Sequence, residues 1–293
     1  MSLEKKPQQA IEAENLRIYG AYRSSPYLSI KHTSYFHVYE RLLSPYVGRP
    51  ITFVEVGVYN GGSLFMWRKF FGDAARIIGI DLNPNAMRWT AEGFEIFIGS
   101  QEDPDFWKSV FDSVGPVDVV LDDGGHSNSQ QIITAHSVLP HIRDGGALIV
   151  EDVHASYMRD FGNPSKYSFM SYSKKAIDRI NSRSSLLPWL RRGEENHMRD
   201  SVYSCSFYES IVCFHVDRRK CFISTPTINS DIEPSSRDFR YEKYRSRIIP
   251  HARLKSWLRS AILLVLRMLS LLIFRKSKIL LEKLSSWRVR KYF

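Results

Sequence analysis

Between residues 51 and 153, short runs of aliphatic and β-branched residues alternate with segments whose apolar positions recur at helical spacing. ITFVEVGV (51–58), RIIGIDLN (76–83), FEIFIGS (94–100), VDVVLDD (117–123) and GALIVEDV (146–153) are predicted strands. GSLFMWRKFFG (62–72), closed by Gly72, DPDFWKSVFDSVG (103–115), capped by Asp103, and SNSQQIITAHSVLPHI (127–142) are predicted helices. The strands are apolar almost throughout, so both faces of their sheet must be covered. This predicts a doubly wound, Rossmann-like α/β fold with a mostly parallel sheet. Upstream, HTSYFHVYERLLSPYVG (32–48) reads as a helix. Downstream the alternation breaks. Residues 157–193 hold one helical stretch, SKKAIDRINSR, within Ser- and Arg-rich loop, and SVYSCSFYESIVCFHVD (201–217) predicts an antiparallel hairpin at a sheet edge. The expected organisation is an N-terminal helical segment (1–50), an α/β domain (51–217) with an insertion at about 155–200, a linker (218–250) and a C-terminal tail (251–293).

Composition changes this picture mainly at the tail. With 43% apolar and 13% aromatic residues among 293, the chain is well outside the disordered class. Three cysteines, none in a CxxC pair, predict neither a zinc framework nor a disulfide one. MSLEKKPQQAIEAEN has no apolar core, so no secretory signal is expected. The net charge of +10 lies entirely in residues 251–293, which carry eleven Lys or Arg and one acid, Glu282. The neutral remainder argues against nucleic acid as a partner. The apolar stretch of the tail, 261–274, contains Arg267 and Ser270 and is shorter than the roughly 20 residues that span a bilayer. Ser256, Arg259, Ser260, Arg267, Ser270 and Lys278 fall mostly on one stripe. The expectation is an amphipathic helix lying on an anionic membrane surface, on the cytoplasmic side. A homo-oligomer remains open.

The candidate chemistry lies at the carboxyl ends of the strands, where open α/β sheets bind ligands. The first end, EVGVYNGGS (55–63), offers Gly57, Gly61, Asn60 and Ser63 before a helix N-terminus. Asp81 ends the second strand and suits the hydroxyls of a ribose. A nicotinamide dinucleotide would use the same features, but the middle glycine of its G-x-G-x-x-G fingerprint is missing. Glu55 would also repel a pyrophosphate, whereas a sulfonium nucleoside such as S-adenosylmethionine would welcome it. Ser100 and Gln101, after the third strand, could bond an adenine edge. The fourth and fifth strands end in Asp122-Asp123 and Glu151-Asp152. Adjacent strands lie about 4.8 Å apart, so these acids converge, and a hard divalent cation would relieve their repulsion.

EVGVYNGGSLFMWRKFF, GIDLNP, LDDGGH and GGALIVEDVHASY, in that order, resemble the metal-dependent class I methyltransferases of the macrolide-sugar O-methyltransferase and cephalosporin-hydroxylase group. IKHTSYFHVYERL and VYSCSFYESIVCF resemble it too. The likeness covers residues 28–217 and not the tail. One departure is the second glycine of DDGGH, where the sugar methyltransferases usually have serine.

The resemblance implies an S-adenosylmethionine- and Mg²⁺-dependent O-methyltransferase acting on a sugar hydroxyl. Asp123, Glu151 and Asp152 would be the metal ligands and His126 the general base. Strand alternation turns Asp122 to the other face, towards the cofactor. His154 is a helper or a substrate contact, while His32, His136 and His141 are expected to be structural. Tyr157, Tyr167, Phe169 and Tyr172 suit either a sugar-binding lid or core packing. With the basic tail, the expected acceptor is a saccharide or glycolipid, a lipid-linked or surface glycan. Two other readings follow from the same residues. A hydroxylase would need the 2-His-1-carboxylate pattern, which this cluster lacks, and a membrane-tethered nucleoside-binding scaffold would not need the acidic set.

Overall fold

The structure, a computed structural model, describes residues 15–162, 166–185, 197–229 and 290–293. Contacts divide the chain into two units, residues 1–225 with 285–293, and residues 226–284. The first unit carries the fold; the predicted tail helix, apart from its last four residues, and most of the predicted linker lie outside the described residues.

Two short helices, α1 (Arg17–Arg23) and α2 (Tyr35–Leu43), precede the sheet. Then β1 (Thr52–Val56), α3 (Gly62–Phe71), β2 (Arg76–Asp81), β3 (Glu95–Ile98), α4 (Pro104–Val114), β4 (Val117–Asp122), α5 (Asn128–Val138) and β5 (Ile142–Val150) follow in turn. Helix α6 (Phe169–Asn181) and a short α7 (His197–Ser201) lead into the hairpin of β6 (Val202–Tyr208) and β7 (Ile211–Val216). The sheet order is β3-β2-β1-β4-β5-β7-β6. The first five strands are parallel, and β7 runs antiparallel to both β5 and β6. The doubly wound class expected from the strand pattern is therefore the one observed.

The local signals act as predicted at several ends. Asp103 caps α4 by accepting from the Asp105 N–H, and Ser127 caps α5 in a reciprocal capping box with Gln130. Other features depart from expectation. Helix α1 was not foreseen, and neither was the 3₁₀ segment Pro84–Glu92. Of the four aromatic residues that suited a lid or a core, Phe169 and Tyr172 are buried in the core, Phe169 against Phe214, while Tyr167 is half-buried and Tyr157 is 61% exposed. Among the described residues no helix is long and apolar enough to cross a membrane. At the end of the tail, Phe293 packs against Tyr167 and Tyr172 of the first unit.

Strand alternation builds two cores. Phe53, Val119, Leu121, Ala147 and Ile149 face α1, α2 and α3, while Val54, Val56, Val120, Leu148 and Val150 face α4, α5 and α6. Continuing that parity to the strand ends puts Glu55, Asp123 and Glu151 on the first face and Asp122 on the second.

Candidate active site

The ends of β4 and β5 are tied at the point where they leave the sheet. Asp123 N donates to Val56 O (3.0 Å) and Glu151 N donates to Asp122 O (2.9 Å). The next residues turn sharply. His126 and Asp152 both have positive φ (58° and 52°), as do Tyr59 and Ser210. Positive φ is costly for residues with a Cβ, and such strain concentrates where surrounding structure fixes a side chain for use. Here it swings Asp152 and His126 back towards Asp123. His126 Nε2 lies 3.3 Å from Asp152 Oδ2 and 4.0 Å from Asp123 Oδ1. Ligand atoms of Asp123, His126 and Asp152 all fall within 4.8 Å of one another, and all three side chains are partly open to solvent.

Behind this outer group lies a second, closed one that the sequence reading missed. Lys31, in the loop before α2, sends its side chain into the sheet face at only 2% exposure. Its Nζ donates to Asp123 Oδ2 (2.6 Å) and to Glu151 (3.1 and 3.3 Å), and lies 4.0 Å from Glu55 Oε1. Burial opposes the ammonium, but the charges of Asp123, Glu151 and Glu55 outweigh it and raise the Lys31 pKa above its ordinary value. Tyr39 also donates to Glu151, and Gln131 Nε2 donates to the Glu151 carbonyl (2.8 Å). Burial, then the Asp123 charge, pushes the Glu151 carboxyl upward. Glu151, expected to be a metal ligand, thus faces Lys31 and Tyr39 rather than the open side.

Glu55, expected at the cofactor, points away from the cavity. It is fully buried, accepting from Ser63 Oγ (2.7 Å) and Trp67 Nε1 (2.9 Å), and it does not line the cavity. Burial pushes its carboxyl up to about 7, against the opposing influence of Lys31. The cause is parity: position 55 points at α3, while the ligand side is reached only beyond Val56.

A cavity of about 560 Å³ opens beside the outer group, within the size range of small-molecule sites. Gly57, Asn60, Ser63, Asp81, Gln101, Asp123, His126 and Asp152 line it, together with Leu28, Ser29 and Ile30 from the N-terminal loop. At Gly57 (φ 92°) a Cβ would sit 2.1 Å from Asp123 O, so no side chain fits. Asp81 accepts from the Val58 (2.9 Å), Tyr59 (3.0 Å) and Asn83 (2.8 Å) N–H groups and so shapes the rim.

Gln101 braces the floor. Its Nε2 donates to Asp122 Oδ1 (2.9 Å) and Thr134 Oγ1 (3.0 Å), and its Oε1 accepts from Gly125 N (2.9 Å). Asp122, expected to border the cofactor, is instead buried beneath this brace. Burial pushes its carboxyl up to about 6, and its Oδ2 is left without a partner. Gly61 caps α3 and abuts Trp89, and Ser100 bonds the Glu102 N–H; neither lines the cavity.

Residues 54–153 match the family model described as a methyltransferase domain. Over 138 residues the chain is 35% identical to the 8-demethyl-8-alpha-L-rhamnosyl tetracenomycin-C 2'-O-methyltransferase of Streptomyces olivaceus, covering 44% of this chain and 35% of that one. It is 30% identical over 131 residues to the mycinamicin VI 2''-O-methyltransferase of Micromonospora griseorubida, covering 42% and 32%. The chain thus spans about a third of the length of the curated relatives it matches. A solved structure of the MycE methyltransferase from the mycinamycin biosynthetic pathway, in complex with Mg and SAH, superposes with a TM-score of 0.63. That match has 22% identity and covers 84% of this chain and 60% of that one, which establishes the shared fold. The likeness read from the motifs is borne out.

Proposed function

We propose that this chain transfers a methyl group from S-adenosylmethionine to a saccharide hydroxyl, assisted by Mg²⁺. The observation that carries the reading is the cavity itself, lined by the Gly57 turn, by Asp81 and by the Asp123–His126–Asp152 group. The relatives named above as sugar O-methyltransferases support the choice of acceptor. The Asp123 and Asp152 carboxylates, within 4.8 Å of each other, fit a divalent cation whose hard preference for oxygen favours Mg²⁺, and His126 beside them is left free to act as base. When bound, the cation would lower the pKa of the acceptor hydroxyl and the sulfonium would supply the methyl group.

The chain's own part is positional and acid–base. Gly57 and Asp81 receive the nucleoside, and Leu28, Ser29 and Ile30 shield the transfer from water. His126 Nε2 takes the acceptor proton, and the Asp152 carboxylate beside it stabilises the resulting imidazolium. Glu151 acts from behind by fixing Lys31 against Asp123.

Titration calorimetry with S-adenosylmethionine, with and without Mg²⁺, tests the reading. Binding with micromolar affinity, and loss of methyl transfer to saccharide acceptors on chelation, is the expected result; absence of binding would overturn it.

The finer acceptor is a lipid-linked or surface glycan, an assignment supported by the basic, amphipathic sequence of the tail. Deletion of residues 251–293 should abolish sedimentation with anionic liposomes; equal sedimentation would remove that part of the proposal.

A further inference from the structure

We propose a second metal site, formed by His32, His154 and Asp152, that takes a borderline divalent cation of the zinc type and shares Asp152 with the Mg²⁺ site. Asp152 presents its two oxygens to different neighbours. Oδ2 faces His126, at 3.3 Å, and Oδ1 faces His32 Nε2 at 3.9 Å and His154 Nδ1 at 3.8 Å. A ligand atom from each of His32, Asp152 and His154 falls within 4.8 Å of the other two. Around a tetrahedral zinc ion with bonds of about 2.0–2.1 Å, donor atoms stand roughly 3.3 Å apart. Each imidazole nitrogen thus stands roughly half an ångström too far from Asp152 Oδ1, so closing the site takes a small movement of both rings, of which His32, with a side chain 66% exposed, is the freer.

The surroundings hold this group in place. The Ser210 carbonyl accepts from Val153 N (3.1 Å), while Ser210 Oγ, hydrogen-bonded to His154 Nδ1 (2.8 Å), is the group that an ion on that nitrogen displaces. Tyr35 donates its hydroxyl to Asp152 Oδ1, which retains a second lone pair. Asp152 and Ser210 are two of the four described non-glycine residues with positive φ, so backbone strain is spent on both sides of the group. The two imidazole rings meet edge to face, 5.9 Å apart at 89°. Such rings pointing at one carboxylate are the donor set for zinc, cobalt or nickel rather than magnesium. Both histidines are open to solvent, which leaves room for water or a substrate oxygen as a further ligand. This group also supplies the 2-His-1-carboxylate pattern that the acidic cluster by itself lacks. His32, expected to be structural, takes part in it.

The site goes beyond methyl transfer and can be tested without cofactor or acceptor. Co²⁺ is the probe, titrated into the full chain in excess Mg²⁺ and followed by its visible absorption. One Co²⁺ per chain is expected. His32→Ala and His154→Gln should each weaken Co²⁺ binding at least tenfold, and Asp123→Asn should leave it within about threefold. Unchanged Co²⁺ affinity in His32→Ala, an exposed position that the fold does not need, would overturn the proposal. So would loss of Co²⁺ in Asp123→Asn, which would put the ion in the Asp123–His126–Asp152 group instead.

Discussion

The two halves of the acidic cluster solve the same electrostatic problem in different ways. On the inner side, Glu55 and Glu151 are fully buried and their charge is met from within the chain by Lys31, with Tyr39, Trp67 and Ser63 completing the hydrogen bonds. On the outer side, Asp123, His126 and Asp152 are about a fifth exposed and face one another, with no lysine or arginine among the described residues paired to Asp152. Asp123 belongs to both, with Oδ2 on Lys31 and Oδ1 towards His126. The difference shows that convergent acids do not all imply a metal. Those on the deep face of the sheet share Lys31, whereas those at its rim face one another.

The largest effect is expected from breaking the inner half. Lys31→Met leaves buried carboxylates without their cation, and losing one partner of a buried ion pair costs about 3–5 kcal/mol. Chemical denaturation at pH 7 without metal should show that loss; a change below about 1 kcal/mol would mean that the inner half is not held by charge. The outer half should respond in rate rather than stability. His126→Ala is expected to slow methyl transfer by roughly 10²–10⁴-fold while cofactor affinity in calorimetry stays within about twofold. A variant with full turnover would assign the proton to another group.

A third experiment uses pH to compare Asp122, beneath the cavity, with the open acids. Burial raises its carboxyl from 3.8 to about 6, so the folded chain holds this proton more tightly than the unfolded one. Its contribution is therefore fully present at low pH and is lost as pH rises from about 4 to about 6, by at most about 3 kcal/mol. Asp122→Asn should gain on the parent protein over that interval in denaturation series at pH 4 and pH 7. A constant difference between them would contradict the assignment. The smallest effect concerns the rim: Asp81→Ala should weaken S-adenosylmethionine about tenfold, or about 1.4 kcal/mol.

Much of the sheet was legible because short, nearly continuous apolar runs alternate with helical spacing between Thr52 and Val150, and Asp103 and Gly72 mark helix ends by local chemistry. Asp123 and Asp152 could be singled out because they lie just past the ends of β4 and β5, and His126 because it sits in the short loop after β4. Lys31 was not, since a lone lysine in a loop carries no pattern of its own. The signal that could have found it is parity: positions 55, 123 and 151 share a sheet face, and three acids there require a cation from elsewhere. Parity also decides Glu55, whose charge alone had suggested the cofactor. Phe169 and Tyr172 were ambiguous because an aromatic residue at helical spacing serves a lid or a core equally well, and only tertiary packing separates the two. Helix α1, seven residues with Gly20 inside it, has weak propensity and depends on contacts such as the Ile18 N–H donating to Glu40 (3.0 Å).

The order β5-β7-β6 has a consequence for how the chain is made. Strand β7 lies between β5 and β6 although it is the last of the seven to be synthesised. Until it emerges, Gly146–Val150 of β5 presents an unpaired and strongly apolar edge, the kind that invites association between nascent chains. When β7 inserts, the turn before it brings Ser210 against His154 and Val153. Sealing the aggregation-prone edge and fixing the residues beside Asp152 are thus one folding event, so a chain stalled before residue 216 is both sticky and without a complete site.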